Sequence, residues 1–412
     1  MASTLIWFIA LAGILLMLVR PRAIPEWVWI GATALLLIGT RLLPLSAAIS
    51  AVAEGLEVYL FLAGMMLFSE MAREEGVFDW VADIAVHHAG QSAGRLFLLL
   101  YFAGVVVTAL LSNDATAVVM TPAVLAVVRR ARVDPKPHLL ACALVANAAS
   151  FVLPISNPAN LVVFNGHMPP LGAWLRMLLL PSAVSIAATF AVLWRVSRDG
   201  LRDAVAPVTE KQRLSATGRL ALAGIAIGVT TLLVCSALNI PLGVPTFCAG
   251  VFALLLVALK DHASPKTALR NVSWGVILLV AGLFVIVEAL NRAGMAHLAD
   301  RGLAWLAEAP NGLGKYAGGF AIGLLSNFMN NLPVGLAAGS ALRHSAVHGR
   351  LAQAVLLGVD LGPNLSVTGS LATILWLIAL RREGEEITPW QFLKVGLLAM
   401  PVALALALLA LR

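Results

Sequence analysis

The chain has 412 residues, of which 60% are hydrophobic and only 12% charged, and its mean hydropathy is +0.92. That composition excludes a soluble globular domain and marks an integral membrane protein. The net charge of +7 is no sign of nucleic-acid binding, because the basic residues fall in short loops between apolar runs, where they set topology.

In chain order, the first apolar run, Leu5 to Val19, is followed by Arg20-Pro21-Arg22. With no charged segment before it and no small-residue cleavage pattern after it, the run reads as a retained helix and not a signal peptide. Further spans are expected at Trp27 to Leu43, Leu56 to Met71, His138 to Gly166 and Trp174 to Trp194, then at Leu220 to Leu238, Val244 to Leu259, Trp274 to Leu290, Ala352 to Leu380 and Phe392 to Leu411. Two other apolar segments, Leu96 to Val128 and Tyr316 to Leu342, carry Ser-Asn pairs inside them and read as re-entrant helical hairpins. Irregular backbone at that depth needs protein or water around it, not lipid.

A charged stretch, residues 196–217, divides the chain into halves 1–195 and 218–412. Leu60-Phe61-Leu62-Ala63-Gly64, Glu70 and Gly76 match Leu278-Leu279-Val280-Ala281-Gly282, Glu288 and Gly294 at a constant offset of 218. Leu110-Leu111-Ser112-Asn113 matches Leu324-Leu325-Ser326-Asn327 at an offset of 214. The expected fold is therefore an all-α integral membrane protein built as an inverted repeat, each half having five transmembrane helices and one re-entrant hairpin, with broken helices at the centre. Such repeats place a binding site at their interface in secondary transporters. Nineteen Lys and Arg fall between the spans on one side and seven on the other. The richer side is expected to face the cytoplasm, leaving both termini outside a bacterial-type inner membrane.

Four polar breaks interrupt the apolar segments. They supply Ser112, Asn113, Asp114 and Thr116; Ser156, Asn157 and Asn160; Asn327, Asn330 and Asn331; and Thr368, Gly369, Ser370 and Thr373. These amides, hydroxyls and helix ends suit a small uncharged solute rich in hydrogen-bonding groups. Capping of broken helix ends is an equally open role for each asparagine. Asp114, at a hairpin tip, would repel an anion and suits a proton or a sodium ion. Asp360 lies on the second broken helix and is the next candidate for the coupling proton, with acceptance of freed backbone amides as its alternative role. Glu70 and Glu288 are repeat-related carboxylates near helix ends, either solvated there or bridging the scaffold to a moving part.

The runs Ser112 to Thr116, Ser156 to Leu161, Asn330-Asn331-Leu332-Pro333 and Gly358 to Trp376 resemble the arsenite and antimonite efflux permease family, often called ArsB, within the ion transporter superfamily. The resemblance covers nearly the whole chain. It implies export of trivalent arsenic or antimony hydroxide in exchange for protons, with a separate cytosolic arsenite-stimulated ATPase subunit in some systems. The pattern departs at Phe328 and Met329, which make the second hairpin less polar than the first. Dicarboxylate carriers of the superfamily carry a tripeptide resembling Ser-Asn-Thr where this chain has Ser112-Asn113-Asp114.

Cys142, Cys235 and Cys248 are dispersed without Cys-x-x-Cys or Cys/His spacing, so neither a metal site nor a cofactor is expected. A multi-thiol site would also hold trivalent arsenic too tightly for a carrier. The sequence has no Gly-x-x-x-x-Gly-Lys-[Ser/Thr] loop, no His-Glu-x-x-His and no Gly-x-Ser-x-Gly, which argues against direct use of ATP and against an intramembrane enzyme. A sodium/proton antiporter or an organic anion carrier of the same architecture is the alternative function.

Overall fold

The computed structural model describes residues 2–411 apart from 165–167, 203, 207, 209–210 and 345–348. Its first half runs through α1 (Ala2–Val19), α2 (Glu26–Gly39), α3 (Leu45–Glu54), α4 (Leu56–Glu74), α5 (Val77–Ala89), α6 (Ala93–Leu110), α7 (Thr121–Arg130), α8 (Pro135–Ala148), α9 (Pro158–Phe164) and α10 (Leu171–Ser197). The second half comprises α11 (Ala216–Ala237), α12 (Gly243–Ala258), α13 (Ala263–Asn271), α14 (Gly275–Arg292), α15 (Met295–Ala307), α16 (Leu313–Met329), α17 (Asn331–His344), α18 (Arg350–Leu361), α19 (Leu371–Arg382) and α20 (Pro389–Leu409). No strand forms among the described residues.

Among the described residues, six helical segments are long and apolar enough to cross a membrane: α1, α6, α10, α11, the unit Ala263–Arg292, and α20. The bent pair α3 and α4, meeting at 48°, would make a seventh. The chain is a multi-pass membrane protein. Two expected spans, Trp27 to Leu43 and Val244 to Leu259, form helices of 14 and 16 residues, below the ~20 residues that cover a bilayer core. Conversely α6, expected as a hairpin arm, has the length of a full span.

The helix boundaries follow local chemistry. Thr388 and Gln391 close a capping box at the start of α20, Asp134 caps α8 ahead of Pro135, and Ser215 caps α11. Gly76 and Gly294 separate α4 from α5 and α14 from α15 with φ of +70° and +99°, a left-handed backbone that a side chain would strain.

Helices of the two halves interlock. α4 packs on α12 and α14 on α2, while α3 lies against α14 and α13 against α4. Glycine makes the close approaches. A Cβ on Gly64 would come within 2.3 Å of the Thr246 carbonyl oxygen, and one on Gly282 within 2.7 Å of Ile30. α10 and α20 pack on each other as well, and a single apolar core runs through both halves.

Four interruptions lie inside this helical mass. The chain breaks at 111–112 between α6 and the helical residues 113–114, which run into a π-helical turn, Ala115–Met120, that leads into α7. It breaks at 149–157 between α8 and α9, at Asn330 between α16 and α17, and at 362–370 between α18 and α19. Pro154, Pro158 and Pro363 lack the amide hydrogen that a continuing helix needs, and Asn330 takes a left-handed φ of +72°. The expected span His138 to Gly166 is thus two helices, its Gly166 lying outside the described residues. Ala352 to Leu380 is likewise two helices.

Candidate functional site

Broken helices release carbonyl and amide groups that lipid cannot satisfy, so the first question is where those groups go. At the first wide break, Ser156 Oγ donates to the Ala109 carbonyl at 3.0 Å and accepts from the Leu153 amide at 3.0 Å. Asn160 donates to the Ser150 carbonyl at 3.0 Å. From α10, Trp174 and Ser182 each reach the Phe151 carbonyl at 3.1 Å, and Ser185 reaches that of Ala148 at 3.0 Å. None of these three α10 residues was among the sequence candidates. Each sits in an apolar stretch that reads as ordinary span.

At the second wide break, Asn327 is the hub. Its amide donates to the Gly323 carbonyl at 2.7 Å and the Gly362 carbonyl at 2.9 Å, and its Oδ1 accepts from Ser366 Oγ at 2.7 Å. Thr368 donates to the Asn327 backbone carbonyl at 2.9 Å. Ser370 caps α19 by accepting the Thr373 amide, and Thr373 Oγ1 donates to the Val367 carbonyl at 2.8 Å. Gly369 is buried where a Cβ would lie 2.5 Å from Pro363 Cα and 2.8 Å from Asn327 Oδ1.

The tips differ. Ser112 accepts the Ala115 amide at 3.1 Å, and Asn113 Oδ1 accepts the Asp114 amide at 3.0 Å. Thr116 accepts from Thr108 at 2.8 Å. Ser112 therefore lies in a break and Asn113 opens the helical stretch after it, whereas their counterparts Ser326 and Asn327 stay inside α16, which continues through Phe328 and Met329. At the second tip, Asn330 Oδ1 accepts the Leu332 amide at 3.2 Å, and Asn331 is buried.

Two buried side-chain to side-chain connections cross between the halves. Asn157 donates to Asp360 Oδ1 at 2.6 Å, and Asn147 donates to Asn364 Oδ1 at 3.0 Å, with Asn364 donating onward to the Leu144 carbonyl. All four side chains are buried. Asn147 and Asn364 were absent from the sequence candidates. An amide in the run Leu139 to Ala148, otherwise apolar, was the signal available for the first. The second Asp360 oxygen, Oδ2, and the Asn147 Oδ1 atom are buried and have no hydrogen-bond partner among the described residues.

Asp114 has a different setting. Among the described residues no hydrogen bond or ion pair reaches its carboxylate, which faces a cleft of about 70 Å³. Ser69, Glu70, Ser112, Pro158, Ser273 and Leu371 share that cleft, with Met and Val side chains completing the walls and no Lys or Arg among them. The break after α6 and the starts of α9 and α19 thus converge there. Glu70 is ion-paired with Arg73 at 2.8 Å, and Glu288 likewise with Arg292 at 2.6 Å. Asn330 lines a separate narrow cavity that also touches Leu371. Cys142 is buried in α8, Cys235 half-buried in α11 and Cys248 exposed on α12, each a free thiol.

A broken-helix core of this kind can be compared with known proteins. A family model described as citrate transporter matches residues 4–359. The chain belongs to the citrate transporter family. An arsenical pump membrane protein of Yersinia enterocolitica is 29% identical over 364 residues, with 84% of each chain covered. One of Escherichia coli is 28% identical over 378 residues at the same coverage. An uncharacterized transporter of Mycobacterium tuberculosis is 27% identical over 375 residues, covering 85% of this chain and 84% of its own. Among solved structures, the YdaH transporter of Alcanivorax borkumensis superposes with a TM-score of 0.60 at 16% identity, covering 100% of this chain and 97% of that one. That likeness concerns the fold. This citrate transporter family member is a membrane transporter and not an enzyme.

Proposed function

We propose that the chain exports trivalent arsenic or antimony hydroxide across the inner membrane in exchange for protons. The observation that carries the proposal is the cleft at Asp114: two carboxylates, three serines and no cationic side chain line it. Such a lining repels a carboxylate-bearing solute and accepts a neutral hydroxide or a cation. The names of the Yersinia and Escherichia relatives support the arsenical reading.

Asp114 binds the coupling proton in this scheme, and Asp360, held on one oxygen by Asn157, is the second proton-coupling carboxylate. Ser112, Asn113 and Thr116 shape the entrance of the solute site, while Ser156, Asn157, Asn160, Asn327, Asn330, Asn331, Thr368, Gly369, Ser370 and Thr373 hold the breaks around it. Proton and solute bias one conformational equilibrium in opposite senses, which is what exchange requires. The reciprocal pairing of α4 with α12 and α14 with α2 supports an inverted repeat with the site at its centre. Both termini lie outside the cell, and energy comes from the gradient or from a cytosolic ATPase partner.

A second reading has one observation behind it, the family description itself, which favours an organic anion. Uptake of arsenite into everted vesicles containing the purified chain, with and without an imposed proton gradient, tests the first. Gradient-driven accumulation supports metalloid export. Collapse of the gradient by citrate or sodium, with no metalloid uptake, transfers the function to the anion or cation carrier.

A further inference from the structure

Away from the transport cleft, a second cavity of about 530 Å³ opens at the end of α5 that leads into the Arg-rich loops. Its lining includes His87 and His88 from the last turn of α5, Lys211 and Arg213 from the segment between the halves, and Arg219 from the first turn of α11. Trp80, Ile84, Leu214 and Leu222 form its apolar walls. We propose that this cavity binds a phosphate-bearing anion, such as the headgroup of an anionic phospholipid.

The acidic group present does not oppose that charge, because it is already engaged. Asp83 Oδ1 pairs with Arg130 at 3.0 Å, and Oδ2 accepts the Gln212 backbone amide at 2.9 Å and lies 3.2 Å from His87 Nδ1. The Gln212 bond has a positional consequence. It anchors the inter-half segment at one residue, so the neighbouring Lys211 and Arg213 are held at the mouth of the cavity. His87 Nδ1 also bonds the Asp83 carbonyl at 2.8 Å, and the opposite ring nitrogen, Nε2, is buried on the cavity wall with no hydrogen-bond partner among the described residues.

Depth favours a lipid as the source of the phosphate. α11 is 22 residues long and apolar enough to cross a bilayer, and Arg219 stands in its first turn. A membrane-crossing helix places its terminal turn at headgroup level. Three fixed cations there attract anionic headgroups, while the half-buried Leu222 and the exposed Ile84 continue the cavity toward acyl chains. Arg130 ends the second arm of the first hairpin, so a ligand here also touches, through Asp83, the element that carries Asp114. The site is independent of the solute transported.

Thermal unfolding of the purified full chain in a neutral detergent tests the proposal, with phosphatidylglycerol, phosphatidylcholine or inorganic phosphate added in turn. A ligand that binds only the folded state raises the melting temperature in a concentration-dependent way. Phosphatidylglycerol is expected to do so and phosphatidylcholine is not. The substitutions Lys211→Gln, Arg213→Gln and Arg219→Gln together should weaken the effect roughly tenfold or more. Lys211→Gln alone, at an exposed position, gives a smaller loss without risk to folding. The control Arg195→Gln, Arg198→Gln and Arg202→Gln removes the same charge from neighbouring exposed positions and should leave the shift intact. A shift with inorganic phosphate that the cavity substitutions abolish assigns the site to the phosphate group itself. Equal lipid shifts in wild type, cavity variant and control, or no shift in the wild type, would overturn it.

Discussion

Asn157 at the start of α9 and Asp360 near the end of α18 are joined by a buried 2.6 Å hydrogen bond across 203 positions of sequence. The bond ties a broken helix of the first half to one of the second. It also leaves one carboxylate oxygen of Asp360 without a hydrogen-bond partner among the described residues. The connection is therefore a structural clasp that engages one carboxylate oxygen, which agrees with the proton-coupling role proposed for Asp360.

Removing the donor strands the carboxylate. Asn157→Ala is expected to lower folding stability by roughly 2–3 kcal/mol, the range for a hydrogen bond to a charged group with its partner left buried. Asp360→Asn should cost less, since it removes the charge while its amide oxygen can still accept from Asn157. In the double variant the two effects should fail to add, and thermal unfolding of the four proteins in detergent measures the difference.

Gly369→Ala should destabilise the second break by about 1–3 kcal/mol and depress transport, because the new methyl group meets Pro363 and Asn327 in a packed interior. Gly31→Ala in α2 meets nothing within 4 Å. It is expected to be neutral or stabilising by up to ~1 kcal/mol. Comparable losses at both positions would deny the second break its special tightness.

Replacement of Cys142, Cys235 and Cys248 by Ala is expected to leave most arsenite transport in place. The three thiols sit on different helices, one buried and one exposed. Complete loss of uptake in the triple variant would instead assign metalloid binding to thiolate.

Sidedness has its own test. A reporter enzyme fused after Arg412 and active only outside the cytoplasm should be active, given the excess of Lys and Arg on the opposite loops. Activity of a cytoplasm-specific reporter at the same position would invert the topology.

Much of this protein is legible in its sequence, for identifiable reasons. Prolines and glycines at Pro154, Pro158, Gly362 and Pro363 mark the broken helices, because helix-breaking residues in an apolar run leave few alternatives. The repeat-matched Gly76 and Gly294 both take a left-handed φ, which the sequence match alone does not announce. Helix length was harder to read. α2 and α12 stop after 14 and 16 residues, since apolarity alone does not fix where a helix ends. The roles of individual polar residues were least accessible. Ser156, Asn327 and Thr373 read as solute ligands yet spend their hydrogen bonds on freed backbone groups. Asn147, Ser182 and Ser185 read as unremarked span residues, although they stitch the breaks and the halves together. Which carbonyl a side chain reaches depends on partners tens or hundreds of positions away, and no local pattern encodes that.

Asp114 stands apart because its carboxylate is not committed to the fold. Arsenite uptake into everted vesicles under an imposed proton gradient, compared between the wild type and Asp114→Asn at equal protein content, bears most directly on the transport proposal. Gradient-driven accumulation in the wild type that falls in the variant to its level without a gradient, with unfolding temperature unchanged, is the expected result. Undiminished gradient-driven uptake by Asp114→Asn would contradict it and move the coupling proton elsewhere.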